Sequence, residues 1–200
     1  MKKDFSKMTD AELSALINDK KLARAVFDEI YRRYSAGIFT YCLKILDNRK
    51  EAEDVFQETF MKFFEEVAKS SHKITHINGF LIKIAKNLCI NEKTRSKYRA
   101  GVSLDGLELP DTNEQSYESK EMSRILESAI SALPDSYREA LVMKEYLGMS
   151  YQEISDVTGM SMGQVRVTIY RAKQKLREFM LPLFKDYTEK TNKGARHGAE

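Results

Sequence analysis

Two helix-start signatures stand close together near the C-terminus, SYQE at 150–153 and SMGQ at 161–164. In each, the serine hydroxyl can accept from the backbone three residues on, while the glutamate or glutamine reaches back to the serine's own N–H. Gly159 supplies the left-handed position that closes the first helix, and Ser161 opens the second after Met160 alone. A chain punctuated this way is confined to helix, tight turn, helix, the layout of a DNA-reading motif. In the second helix Val165, Ile169, Ala172 and Leu176 fall on one buried stripe. The opposite face carries Gln164, Arg166, Val167, Tyr170, Arg171 and Gln174, which combine base-edge hydrogen bonders, guanidinium groups and an apolar group suited to a thymine methyl. A capped helix pair in an ordinary bundle would satisfy the turn equally well, so charge has to separate the two readings.

The remainder also reads as helix. Three prolines and nine glycines in 200 residues, with long stretches of Ala, Glu, Lys, Leu and Arg, predict an all-α protein. A hydrophobic content of 42% suits two small domains better than one large one. No run of about 18 apolar residues could span a bilayer, and the opening MKKDFSKMTD lacks the apolar core of a signal peptide. A cytoplasmic protein is therefore expected. Cys42 and Cys89 sit among apolar neighbours and are read as core residues.

Charge is arranged in blocks of opposite sign. Between 51 and 69, Glu51, Glu53, Asp54, Glu58, Glu65 and Glu66 outnumber Lys62 and Lys69. Between 83 and 99, Lys83, Lys86, Lys93, Arg95, Lys97 and Arg99 face Glu92 alone, and the stretch from Arg166 to Glu178 is basic again. Two separate basic helices fit a nucleic-acid footprint better than a merely solvated surface.

Along the chain, a capping box of Thr9 and Glu12 starts a first helix, and a longer one is expected from about Leu22 to Leu46. Asp47-Asn48 reads as a turn. A helix over about 50–69 places Ala52, Phe56, Phe60, Phe63 and Phe64 inward and Asp54, Gln57 and Glu58 toward solvent. Residues 70–79 read as a polar loop, with a basic helix from about Phe80 to Lys97. Residues 101–118 combine Gly, Pro, Ser and acids with no sustained period, the composition of a flexible acidic linker. The expected division is therefore 1–100, a linker at 101–118, 119–187, and a disordered polar tail at 188–200, with Pro134 at the first position of a helix in the second domain. His72 and His76 have a metal-compatible spacing only on a helix, and here they fall in the loop without a convincing third ligand, so neither metal nor cofactor is expected.

This two-domain helical layout resembles bacterial RNA polymerase sigma factors of the extracytoplasmic-function class. EAEDVFQETFMKFF at 51–64 looks like the family's polymerase-binding helix, FLIKIAKNLCIN at 80–91 like its promoter-melting helix, and 133–176 like its fourth conserved region. The resemblance implies a non-enzymatic initiation factor whose partners are core RNA polymerase, promoter DNA and an anti-sigma factor, often at the membrane, with no small-molecule substrate. It implies that Asp54, Gln57 and Glu58 dock on the polymerase clamp. It also implies that the 70–78 loop with Lys83, Lys86, Asn87 and Asn91 holds the opened strand of the downstream promoter element, and that Arg166, Val167, Thr168, Tyr170 and Arg171 read the upstream element; Gln164, on the same outward face of the helix, is expected to join them. A single strand requires a cationic track and stacking platforms, which Phe80 and Tyr98 can supply beside those amides. Thr168 stands where the family often has arginine, which removes one strong guanine or phosphate contact. Two competitors follow from the same residues: a gene-specific regulator that binds an operator alone, and a metal-dependent hydrolase built on His72 and His76.

Overall fold

The computed structural model describes residues 4–69, 74–100 and 117–197, with 99–100, 117–120 and 183–197 described as backbone alone. A short 3-10 turn, Phe5–Lys7, precedes eight helices: α1 Asp10–Leu16, α2 Ala23–Leu46, α3 Arg49–Lys69, α4 Ile77–Ala100, α5 Tyr117–Ser131, α6 Asp135–Glu145, α7 Tyr151–Thr158 and α8 Met162–His197. No strand occurs among the described residues. The protein is all-α, as its composition predicts.

Local chemistry sets most boundaries. Thr9 caps α1 and Ser150 caps α7, each in a complete capping box with the glutamate three residues on. Gly159, at φ +75°, closes α7 in the left-handed conformation that glycine adopts without strain. Asp47 ends α2 at φ +54°, and its carboxylate is held by Ser131 Oγ at 2.7 Å and by Arg138 Nη1 at 2.8 Å. The turn expected at Asp47-Asn48 is thus fixed by residues far along the chain.

Three expected boundaries shift. α4 begins at Ile77 rather than Phe80, because the Asp10 carboxylate of α1 accepts from Ile77 N at 2.8 Å and caps it from outside the segment. Pro134 is the N-cap of α6, with ψ 143°, so the first helical residue is Asp135. α8 continues through Pro182 to His197, where a disordered tail was expected at 188–200. The Glu, Lys, Ala and Arg residues of that stretch favour helix, and no further proline interrupts it.

α2, α3 and α4 bury one continuous cluster. Val26, Ile30, Ile38, Tyr41 and Ile45 from α2 meet Ala52, Val55, Phe60 and Phe63 from α3 and Leu81, Ile82, Ala85 and Cys89 from α4. Phe56 and Phe64, expected inward, are half-buried at its rim, where Phe56 meets Tyr31 and Phe39 of α2 edge to face and Phe64 meets Phe27 at a tilt. Cys42 and Cys89 are fully buried, and their mutual hydrogen bond and burial push the Cys89 thiol far above its ordinary range. Both are core residues, as read from sequence. At the N-terminus Arg33 ties the 3-10 turn to α2 by donating to Phe5 O at 2.8 Å and to Glu29 at 2.6 Å. Hydrogen bonding from Arg32, then from Arg33, holds the Glu29 carboxyl down at about 2.

The C-terminal helices do not stand apart from this core. Ala140, Val142, Met143, Met149, Ile154, Val157, Val165 and Ile169 belong to the same buried cluster as the N-terminal side chains. Ile130, Leu133, Leu141 and Ala172 form a smaller core of their own beside it. The linker expected at 101–118 falls almost wholly outside the described residues.

Candidate nucleic-acid interface

The second half of the helix-turn-helix is built as its sequence predicts. Ser161 N donates to Gln164 Oε1 at 2.8 Å and Gln164 N to Ser161 Oγ at 3.3 Å, a reciprocal cap that starts α8. Val165, Ile169 and Ala172 are buried and Leu176 is half-buried. This fixes the opposite face outward: Arg166, Val167, Tyr170, Arg171 and Gln174 are all exposed, Val167 at 48% and Tyr170 at 64%.

Three details refine the face. Gln164 spends its carbonyl on the cap, so its amide nitrogen is the end free to donate to a base. Thr168 is half-buried, with Oγ1 3.8 Å from Met160 Sδ, and so faces the turn more than it faces outward. Gln174 Nε2 donates to Tyr170 Oη at 2.8 Å, which steadies that ring. Sequence reasoning missed Tyr151. Its ring lies 5.6 Å from the Arg166 guanidinium and 4.9 Å from Lys144 Nζ, a cation–π stack that orients Arg166 from beneath. The signal was an aromatic at the first position of α7, within reach of the first turn of α8.

On α4 the four expected downstream residues divide. Lys83, Asn87 and Asn91 lie four apart on one exposed ridge, which continues through Ile90 to Tyr98, 83% exposed. Lys86 points elsewhere, half-buried with Nζ 3.9 Å from Glu139 of α6. Phe80 is half-buried edge-on to Phe63 at 6.0 Å, so its ring belongs to the core and Tyr98 is the open stacking surface. Ile74, Thr75, His76, Phe80 and Lys83 line one wall of a groove of about 600 Å³, and Gln152, Glu153, Asp156 and Val157 of α7 line the other. His72 and the 70–73 part of the loop lie outside the described residues. Among those described, no three His, Cys, Asp or Glu side chains gather as a metal site.

On α3, Asp54 and Gln57 are exposed and Glu58 is half-exposed in an ion pair with Lys62 at 3.0 Å. Met61, 64% exposed, completes their i, i+3, i+4, i+7 strip. That spacing was legible in the sequence, and it puts an apolar contact at the edge of an acidic surface.

Residues 30–99 match Sigma-70 region 2, and residues 123–176 match Sigma-70, region 4. The first match covers α3 and the exposed ridge of α4, and the second covers the whole helix-turn-helix. This chain belongs to the Sigma-70 family, and its relatives are extracytoplasmic-function sigma factors. It is 30% identical over 159 residues to the ECF RNA polymerase sigma factor SigE of Mycolicibacterium smegmatis, covering 77% of this chain and 61% of that protein. It is 28% identical over 152 residues to ECF sigma factor SigM of Bacillus subtilis, covering 75% of this chain and 92% of that one. The fold is that of the sigma factor RpoE of Bartonella quintana, solved with the anti-sigma factor NepR (TM-score 0.64, 19% identity, 77% of this chain and 96% of that one). Among the described residues of this sigma factor, no helix is long and apolar enough to cross a membrane.

If Arg171 contacts a base edge, Arg171→Ala is expected to cost about 1–3 kcal/mol at promoters carrying that base and little at promoters lacking it. Transcription from a panel of upstream-element variants measures this, and a uniform loss across the panel assigns Arg171 to phosphate instead.

Proposed function

We infer that this chain binds core RNA polymerase and directs initiation at specific promoters, with α3 as the polymerase surface, α4 as the holder of the melted downstream strand and α8 as the reader of the upstream element. The observation that carries this reading is the separation of three chemically different exposed surfaces on three helices. They are an acidic strip around Asp54 and Gln57, a ridge of lysine, asparagine and tyrosine on α4, and a mixed polar, cationic and apolar face on α8. A gene-specific regulator needs only the last of these. The functional units are residues 1–100 and 119–187, joined by 101–118. The chain supplies no catalytic group; bond formation belongs to the polymerase, and the site of action is the cytoplasm. An anti-sigma protein is the expected regulator, as NepR is for its partner.

The test is transcription in vitro with sigma-free core polymerase and fragmented DNA from the source organism, with the protein added or withheld and transcript ends mapped. Defined starts that require the protein are expected, each with two shared sequence elements upstream. No such starts, together with tight binding to duplex fragments in the range of about 10⁻⁸ to 10⁻¹¹ M without polymerase, would establish the regulator instead.

A further inference from the structure

We propose that α1, which lies outside the stretch matched to region 2, is a positioning element for strand capture: Asp10 and Ser14 hold the backbone of 74–77, and with it Thr75 and His76, in the arrangement that reads bases of the melted strand. This rests on the reading of α4 and the turn before it as the strand-holding surface.

The backbone at 74–76 belongs to no helix until Ile77 opens α4, so the N–H groups of this turn need acceptors from elsewhere. α1 supplies two. Ser14 Oγ accepts from Ile74 N at 2.9 Å, and Asp10 Oδ2 accepts from Ile77 N at 2.8 Å. These anchors bracket Thr75 and His76, both exposed. A threonine hydroxyl and a histidine ring carry hydrogen-bonding groups of the kind that meet the edge of an unstacked base. They stand on the same wall of the groove as Lys83, the first residue of the α4 ridge.

An element that positions another must itself be fixed, and α1 is. Leu13 is fully buried and Ile17 is 7% exposed, both in the core shared with α2 and α4, and Ile74 packs against that same core. The second oxygen of Asp10 is occupied from α2, where Tyr34 Oη donates to Oδ1 and Arg33 Nη1 lies 3.8 Å away. Burial, then the Asp10 carboxylate, raises the Tyr34 hydroxyl far above its ordinary range, so it remains a donor. Asp10 thus joins α2 to the start of α4 with one oxygen for each. A turn held at both ends is already ordered when a strand arrives, which spares the complex that ordering cost. Loss of an anchor frees Thr75 and His76 to wander from the bases, while Lys83 keeps its attraction for phosphate. Base contacts specify and phosphate contacts position, so what falls is discrimination between sequences.

Ser14→Ala and Asp10→Ala in the full chain, with Asp10→Asn as the conservative partner, test this with core polymerase on promoters mapped for the unaltered protein. Each variant is assayed on the mapped promoter, on copies with the downstream element substituted base by base, and on copies with the upstream element substituted. Preference for the original downstream bases is expected to fall about tenfold in both alanine variants, the scale on which a small misplacement of contacting groups acts. Upstream preference and capture by core polymerase are expected to stay unchanged. Asp10→Asn is expected to regain most of the downstream preference, since its amide oxygen can accept from Ile77 N while its nitrogen donates to Tyr34 Oη. Ser14→Ala removes a single oxygen from a helix that favours alanine, so it folds even where Asp10→Ala does not, and its result then decides. An unchanged downstream preference in Ser14→Ala that melts as a folded protein would overturn the proposal. So would a preference lost in step with upstream preference and capture, which marks α1 as structural support alone, or Asp10→Asn no better than a folded Asp10→Ala. Unaltered protein that initiates nowhere, or equally well whatever the downstream bases, would instead overturn the reading of α4 on which the proposal rests.

Discussion

Asp54→Lys combined with Glu58→Lys is expected to reduce protein-dependent transcription about 100-fold and to abolish capture of the chain by core polymerase. The two side chains lie four residues apart on the exposed strip of α3, so reversing both turns an acidic surface basic where a partner of complementary charge would dock. Like charges brought together at an interface cost several kcal/mol, and about 2.7 kcal/mol suffices for a factor of about 100. Folding survives because neither side chain enters the core. The lost Glu58–Lys62 pair is an exposed i, i+4 contact worth about 0.3–0.5 kcal/mol. A pull-down with core polymerase beside thermal melting separates the effects. Normal capture by a folded variant would remove α3 from the polymerase surface. Met61→Ala probes the apolar edge of the same strip and is expected to weaken capture without shifting the melting temperature, since Met61 is 64% exposed.

Much of this was legible in the sequence wherever the cause is local. The capping boxes at Thr9 and Ser150, the glycine stop at Gly159 and the stripe from Val165 to Ala172 depend on residues within a few positions of one another, and the structure reproduces each. The exposed face of α8 followed from that stripe without any tertiary information. What escaped depends on partners distant in the chain. The start of α4 is set by Asp10, 67 residues before Ile77. The direction of Lys86 is set by Glu139, and the ring of Phe80 is held by Phe63. Helical spacing places Lys86 one step from Asn87 and so on a different face, but only the arrival of α6 decides which of the two stays open. Charge blocks pointed correctly to basic helices and said nothing of the acids on 135–156 that would meet one of them.

Arg138 makes the same point most sharply, because its partners lie on distant segments and it is 7% exposed. Its guanidinium joins the two halves of the chain. Nη1 donates to Asp47 at 2.8 Å and weakly to Ile45 O at 3.4 Å, while Nη2 donates to Ser131 O and to Leu133 O at 3.3 Å. Nε is buried without a partner, a cost the other bonds offset. Arg138→Ala is expected to lower stability by about 3 kcal/mol, because it removes a buried cation and leaves the buried carbonyls of Ile45 and Leu133 without its N–H donors. For a chain of this size that corresponds to a fall in melting temperature of roughly 6–12 °C. Asp47→Asn is expected to cost less, about 1 kcal/mol, since Asp47 is partly exposed and its loss leaves the Ser131 and Leu133 contacts intact. The comparison separates two roles of one side chain. The contacts to Ser131 and Leu133 hold the α5–α6 corner in any arrangement of the chain, whereas the contact to Asp47 exists only while the C-terminal helices lie against α2. Equal losses for the two variants would assign the whole effect to the contact across the chain. A negligible loss for Arg138→Ala would show that water replaces the guanidinium at little cost, and that Arg138 fixes neither the corner nor the seam.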